Sequence, residues 1–132
     1  MIGKAVYQQL KLTPDVMALC KWIYPHIIPE DRDAPAITYA VDEENRDQLL
    51  DGEGPYRLDG VSVDCYDYKY ADSRAIAVAV ESALIGFRGF LGSSTSTIDV
   101  DSIQLSRKFD IFEANTGLFR TSLQFTIGYE IG

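Results

Sequence analysis

Histidine is nearly missing from this chain of 132 residues and cysteine is scarce: His26 stands alone, and Cys20 and Cys65 are the two thiols. A nucleophilic triad needs an imidazole or another base beside its nucleophile, and His26, held between Pro25 and Ile27, reads as a loop residue. Structural zinc takes clustered Cys and His ligands, which these scattered residues do not supply. Both cysteines sit in apolar settings, Val16-Met17-Ala18-Leu19-Cys20 and Val61-Ser62-Val63-Asp64-Cys65, and read as small buried hydrophobes in a reducing compartment. Basic residues are a minority, 12 against 20 acidic, and the net charge of -8 disfavours a surface lying along phosphates. Long apolar runs are absent as well: no window approaches the ~18 residues of a membrane span. Met1-Ile2-Gly3-Lys4 lacks the apolar stretch of a signal peptide. The expectation is a soluble protein made inside the cell, with no catalytic residue, metal or cofactor.

What is present is the composition of a folded domain, 46% hydrophobic and 24% charged, enough for one core without staples. Carboxylates are abundant, which raises hard-cation binding and paired-carboxylate hydrolysis. Asp99 and Asp101 share a strand face and Asp64 and Asp67 are near neighbours. Neither pair forms an Asp-x-Asp-x-Asp-Gly loop, and solvated strand faces and turns account for them. Gly86, Gly89 and Gly92 follow a helical stretch instead of opening one, so the amide geometry of a phosphate site is missing. Gly52 and Gly54 lack the lysine and hydroxyl that would make a phosphate loop.

The periodicity sets out the elements. Ile2, Val6 and Leu10 make one helical stripe, and Thr13-Pro14-Asp15 opens a second short helix, predicted to run to about Lys21. Pro25, Pro29 and Pro35 then forbid regular helix, leaving a short extended piece at Trp22 to Tyr24 and a loop. Ala36 to Val41 is a strand, and the polar stretch from Asp42 to Pro55 reads as a long acidic loop. Tyr56 to Tyr70 alternates, with Val61, Val63 and Cys65 on one face and Asp64, Tyr66, Tyr68 and Tyr70 on the other. An alanine-rich helix follows from Asp72 to Ile85, with Gly86 as its stop. Ile98 and Val100 are out of phase with Ile103, Leu105, Phe109 and Ile111, which predicts a bulge near Asp101-Ser102. Asn115-Thr116-Gly117 turns the chain into a last strand in which Leu123, Phe125, Ile127, Tyr129 and Ile131 alternate with polar residues. The predicted fold class is α+β: one domain over residues 1–132, with an antiparallel sheet of about four to five strands packed by one long Ala-rich helix plus short N-terminal helices.

Two features suit an interaction protein. Tyr66, Tyr68 and Tyr70 form either an aromatic interface ladder or core beneath the helix. Asp42, Glu43, Glu44, Asp47, Asp51 and Glu53 are either an ordinary solvated loop or a segment that faces a lumen or orders on assembly.

The whole order resembles the tail-completion, or tail-terminator-like, neck proteins of long-tailed bacteriophages. The likeness lies in the N-terminal helix, Ile23-Tyr24-Pro25, the strand Pro35-Ala36-Ile37-Thr38-Tyr39, the helix from Asp72 to Ile85, and the closing hairpin Phe109 to Tyr129, although the turn Ala114-Asn115-Thr116-Gly117 lacks the Asp-Pro-Asp-Gly common there. The resemblance implies a virion tail or neck subunit assembled in the host cytoplasm. It implies a homohexameric ring that meets the tail tube protein on one side and the head-tail connector protein on the other, with DNA passing through unbound and no membrane involved. The alternatives from the residues themselves are a small ferredoxin-like α+β module that binds a ligand or regulates a partner, and a paired-carboxylate hydrolase.

Overall fold

The computed structural model describes residues 2–30, 32–49, 52–93 and 96–131. Three helices, α1 (Ile2–Lys11), α2 (Pro14–Leu19) and α3 (Tyr70–Leu84), accompany six strands: β1 (Ile23–Pro25), β2 (Ala36–Leu49), β3 (Gly52–Asp67), β4 (Gly89–Phe90), β5 (Ile98–Glu113) and β6 (Leu118–Ile131). The strands form one sheet in the order β1-β2-β3-β6-β5-β4. The α+β class holds, while the expected four to five strands become six, and β1 pairs with β2 in parallel. The short extended piece expected at Trp22 to Tyr24 is found as β1, and the strand beyond the expected count is the two-residue β4, too short to carry a periodicity of its own.

The helices lie on one face of the sheet. Val6 and Leu10 of α1, Val16 of α2, and Ile76, Val80 and Leu84 of α3 pack with Val61, Val63, Cys65, Leu123, Phe125 and Ile127 in one buried cluster. Each such side chain contributes roughly 1.5–3 kcal/mol by leaving water. The small residues of α3 let it sit close, with Ala77 and Ser73 completely buried. Its N-terminus is fastened by a polar link: Arg74 donates to Asp110 of β5 at 3.0 Å, and Thr121 of β6 donates to the same carboxylate at 2.8 Å. Gly86 adopts φ 79, the left-handed stop that its sequence position suggested. Thr13 differs from expectation: its hydroxyl makes no cap and donates back to Gln9 of α1 at 2.8 Å.

Two local corrections bear on the site. The stretch from Asp42 is no loop, since β2 continues to Leu49 and β3 begins at Gly52, with Glu44 opposite Asp59 and Gln48 opposite Glu53. Cross-strand backbone pairing sustains this hairpin where the sequence has no apolar alternation to announce it. Pro55 falls in the irregular stretch between the Gln48–Glu53 and Arg46–Arg57 pairs, where a missing N–H costs no ladder bond. The second correction is that β3 ends at Asp67, so Tyr68 lies in the turn and Tyr70 opens α3. The bulge predicted in β5 is present between Val100 and Ser102, and a second follows between Leu105 and Arg107.

Candidate functional site: the helix-free sheet face

Alternation along each strand puts a second set of side chains on the face without helices. The register places Thr38 of β2 opposite Asp64 of β3, and Asp64 opposite Ser122 of β6; Tyr66 lies between Ala36 and Arg120. Tyr24 of β1 is aligned with Thr38. Despite having no helix above them, Ala36, Thr38, Tyr66 and Ser122 are buried.

Charges on this face are enclosed. Burial pushes the Asp64 carboxyl above the ordinary carboxylate value, although Ser122 hydrogen-bonds to it and Arg120 lies nearby. Burial works against the Arg120 guanidinium, but its hydrogen bond to Tyr66 and the carboxylates of Asp64 and Glu113 outweigh this and hold its proton more firmly. Among the described residues, Asp64 Oδ1, the Tyr24 hydroxyl and Arg120 Nε on this face are buried without a hydrogen-bond partner, as is Asp59 Oδ1 on the helix-covered face, where Asp59 lies opposite Ile127. A buried polar group left unpaired costs about 1–3 kcal/mol, so three on one face is an expensive arrangement for a surface with no task.

Beside this cluster a groove of about 480 Å³ runs between the stretches Ile27–Glu30 and Arg32–Ala34 on one side and the β5–β6 turn on the other, with Tyr66, Tyr68 and Leu118 in its wall. The Tyr68 hydroxyl donates to Asp33, and that bond, with the Ala34 amide, lowers the Asp33 carboxyl. Ile27 at the rim is 73% exposed. His26 is an exposed turn residue with φ 65. Cys20 and Cys65 are free and buried, and burial pushes both thiols up. No group of His, Cys, Asp and Glu suited to a metal ion occurs among the described residues, and none of the described helices is long and apolar enough to cross a membrane.

The chain matches the family described as Tail completion protein gp17 over residues 4–130. It belongs to that family. Among solved structures, a chain from the virion of a native gene transfer agent (GTA) particle is similar, with a TM-score of 0.69 and 22% identity over 95% of this chain and 91% of that one. At that identity the likeness speaks for the fold. No curated protein matches. The chain is thus a tail-completion protein with a structural, tail-associated role.

Within this tail-completion fold the expected tyrosine ladder is broken up. Tyr66 is 8% exposed in β3, whereas Tyr68 and Tyr70 are half exposed outside it. Tyr70 packs edge-on against Phe119, with ring centroids 5.8 Å apart. Tyr66 and Tyr68 still meet in the groove wall; Tyr70 does not join them. Of the acidic residues, Asp42 and Glu43 are exposed in β2, and Asp42 accepts a hydrogen bond from Ser62. Glu44 and Asp47 lie in β2 and Glu53 in β3; Asp51 lies outside the described residues. The Asp64, Arg120 and Ser122 cluster escaped the sequence reading. Its only signal was a lone acid in Val63-Asp64-Cys65 and a lone base in Phe119-Arg120-Thr121, visible as a pair once the two strands are set side by side.

Proposed function

We propose that this tail-completion protein forms a homohexameric ring that caps the head-proximal end of the tail tube and joins it to the head-tail connector protein. The observation that carries the reading is the groove beside the helix-free face, whose rim leaves Ile27 73% and Tyr68 50% exposed, apolar and aromatic surface as befits a contact with other subunits. Capping is geometric. One face of the ring matches the last ring of the tail tube protein, and the other offers no place for a further tube subunit, so polymerisation stops. Closure of the ring also covers sheet edges that would otherwise invite uncontrolled pairing.

Tyr66, Tyr68 and Tyr70 belong to the subunit interface in this reading, the first two through the groove. Asp42, Glu43, Glu44, Asp47, Asp51 and Glu53 line the lumen, where negative charge lets DNA pass without adhering. Negative-stain microscopy and native mass spectrometry of the protein, alone and with purified tail tubes, test the proposal. Six-membered rings at tube ends are expected. A protein that stays monomeric at high concentration and never binds tubes would overturn it. Neutralising Glu43, Glu44 and Asp47 is expected to increase retention of DNA by the assembled ring, and unchanged retention would remove those residues from the lumen.

A further inference from the structure

Both sides of the sheet end in strands that are longer than the neighbours covering them. On one side β1 pairs only with Ile37, Thr38 and Tyr39 of β2, and the His26 amide closes the last of that edge by donating to the Tyr39 carbonyl at 2.8 Å. From Ala40 to Leu49, the outer edge of β2 has no strand beside it among the described residues. On the other side β4 pairs only with Asp99 and Val100 of β5, and the Gly86 amide meets the Ile103 carbonyl at 3.5 Å. From Gln104 to Glu113 the outer edge of β5 is likewise without a strand among the described residues. Long bare edges are normally shortened, covered or broken in folded proteins, and here two of them face away from each other on the same sheet.

We infer that these edges pair with one another between neighbouring copies of the chain, the Gln104–Phe109 edge of β5 in one subunit adding in antiparallel fashion to the Ala40–Asn45 edge of β2 in the next, in the register that sets Arg107 against Asp42. The inference rests on the ring proposed above and names the surface that closes it. Direction follows from the topology. The pairs β2 with β3, β3 with β6 and β6 with β5 are all antiparallel, so β5 runs opposite to β2, and continuing the sheet into an identical copy keeps that opposition. Such a contact is head-to-tail, the kind that closes into rings.

Charge agrees with the same occupant. The bare part of β2 reads Ala-Val-Asp-Glu-Glu-Asn-Arg-Asp-Gln-Leu, whereas that of β5 reads Gln-Leu-Ser-Arg-Lys-Phe-Asp-Ile-Phe-Glu, in which Lys108, Asp110 and Glu113 are already paired with Glu81, Arg74 and Arg120. Arg107 stacks over the Phe109 ring at 4.7 Å and takes part in no salt bridge among the described residues. Its partner across β6 is Gln124, while Gln124 and Asp42's partner Ser62 are themselves opposite each other. Arg107 and Asp42 therefore project from the same, helix-free face, one at each edge, and antiparallel addition brings them to one seam. Opposite charges across neighbouring strands favour that pairing over β5 with β5 or β2 with β2.

Hydrogen exchange of the full chain, as protomer and as ring, alone or on tail tubes, reads the seam directly. Amides in peptides covering 40–45 and 104–109 that point away from the sheet are expected to exchange at least about tenfold more slowly in the ring, with peptides of β3 and β6 unchanged. Arg107→Glu is expected to lower the ring fraction by about tenfold, and Arg107→Glu combined with Asp42→Arg to restore it, because the pair's sign is reversed as a whole. A ring that forms while both edge peptides exchange as in the protomer overturns the inference and leaves the ring standing. Absence of a ring with and without tubes overturns both.

Discussion

The two faces of the sheet are built by opposite rules from the same strands. Beneath the helices, Val61, Val63, Cys65, Leu123, Phe125 and Ile127 carry no charge and are closed off completely. On the other face, Asp64, Tyr66, Arg120 and Ser122 occupy the alternate positions of the same two strands, partly buried and incompletely hydrogen-bonded. Strand alternation lets one segment of chain serve folding on one side and, in our reading, assembly on the other. The difference teaches that the fold is secured without the polar face, whose unpaired groups work against stability.

The comparison breaks most visibly at the apolar face. Phe125→Ala is expected to cost about 3–5 kcal/mol in urea unfolding, enough to threaten a domain of this size, and a loss below 1 kcal/mol would deny that this face holds the fold. Gly92→Ala is expected to cost about 1–3 kcal/mol, because Gly92 sits at φ +98 with a Cβ position only 2.9 Å from the Ala5 carbonyl; the same measurement checks it. Tyr66→Phe, on the polar face, removes only the hydroxyl bonded to Arg120 and is expected to cost about 1 kcal/mol while keeping a cooperative melt.

Asp64→Asn sharpens the contrast through its sign. Because burial raises the folded carboxyl above its ordinary 3.8, the folded state holds its proton longer than the unfolded one, and stability from this group falls as pH rises from the unfolded value through the folded one. The substitution is therefore expected to raise the melting temperature at pH 7, with the gain shrinking as pH drops toward 4. A lower melting temperature at pH 7 would place Asp64 among the stabilising groups. Smallest is the effect on the thiols: with both raised by burial, iodoacetamide is expected to label Cys20 and Cys65 only after unfolding, and prompt labelling of the native protein would show that the core opens.

Legibility in the sequence followed the same division. Where a face is apolar, alternation or helical spacing revealed it: α1, α3, β6, the first β5 bulge and the Gly86 stop could be read from side chains alone. The extension of β2 beyond Val41 could not, since Asp42 to Leu49 is held by backbone pairing with β3 and offers no apolar rhythm. Tyr68 and Tyr70 misled for the reverse reason, keeping the alternating pattern of β3 after the chain had left the sheet. The polar cluster depended on register, because Asp64 and Arg120 become neighbours only when β3 and β6 are aligned.

The parallel pairing of β1 with β2 has one further consequence. A strand that lies parallel to its successor obliges the chain to travel back before it can start again, so residues between Pro25 and Ala36 form a strap, one wall of the groove. That strap is moored by a three-residue ladder and by bonds such as Tyr68 to Asp33, while β2, β3, β6 and β5 are joined to one another by far longer ladders. Lifting it breaks fewer ladder bonds than parting any two of those four strands, so the wall of the groove is separable from the sheet that carries the core.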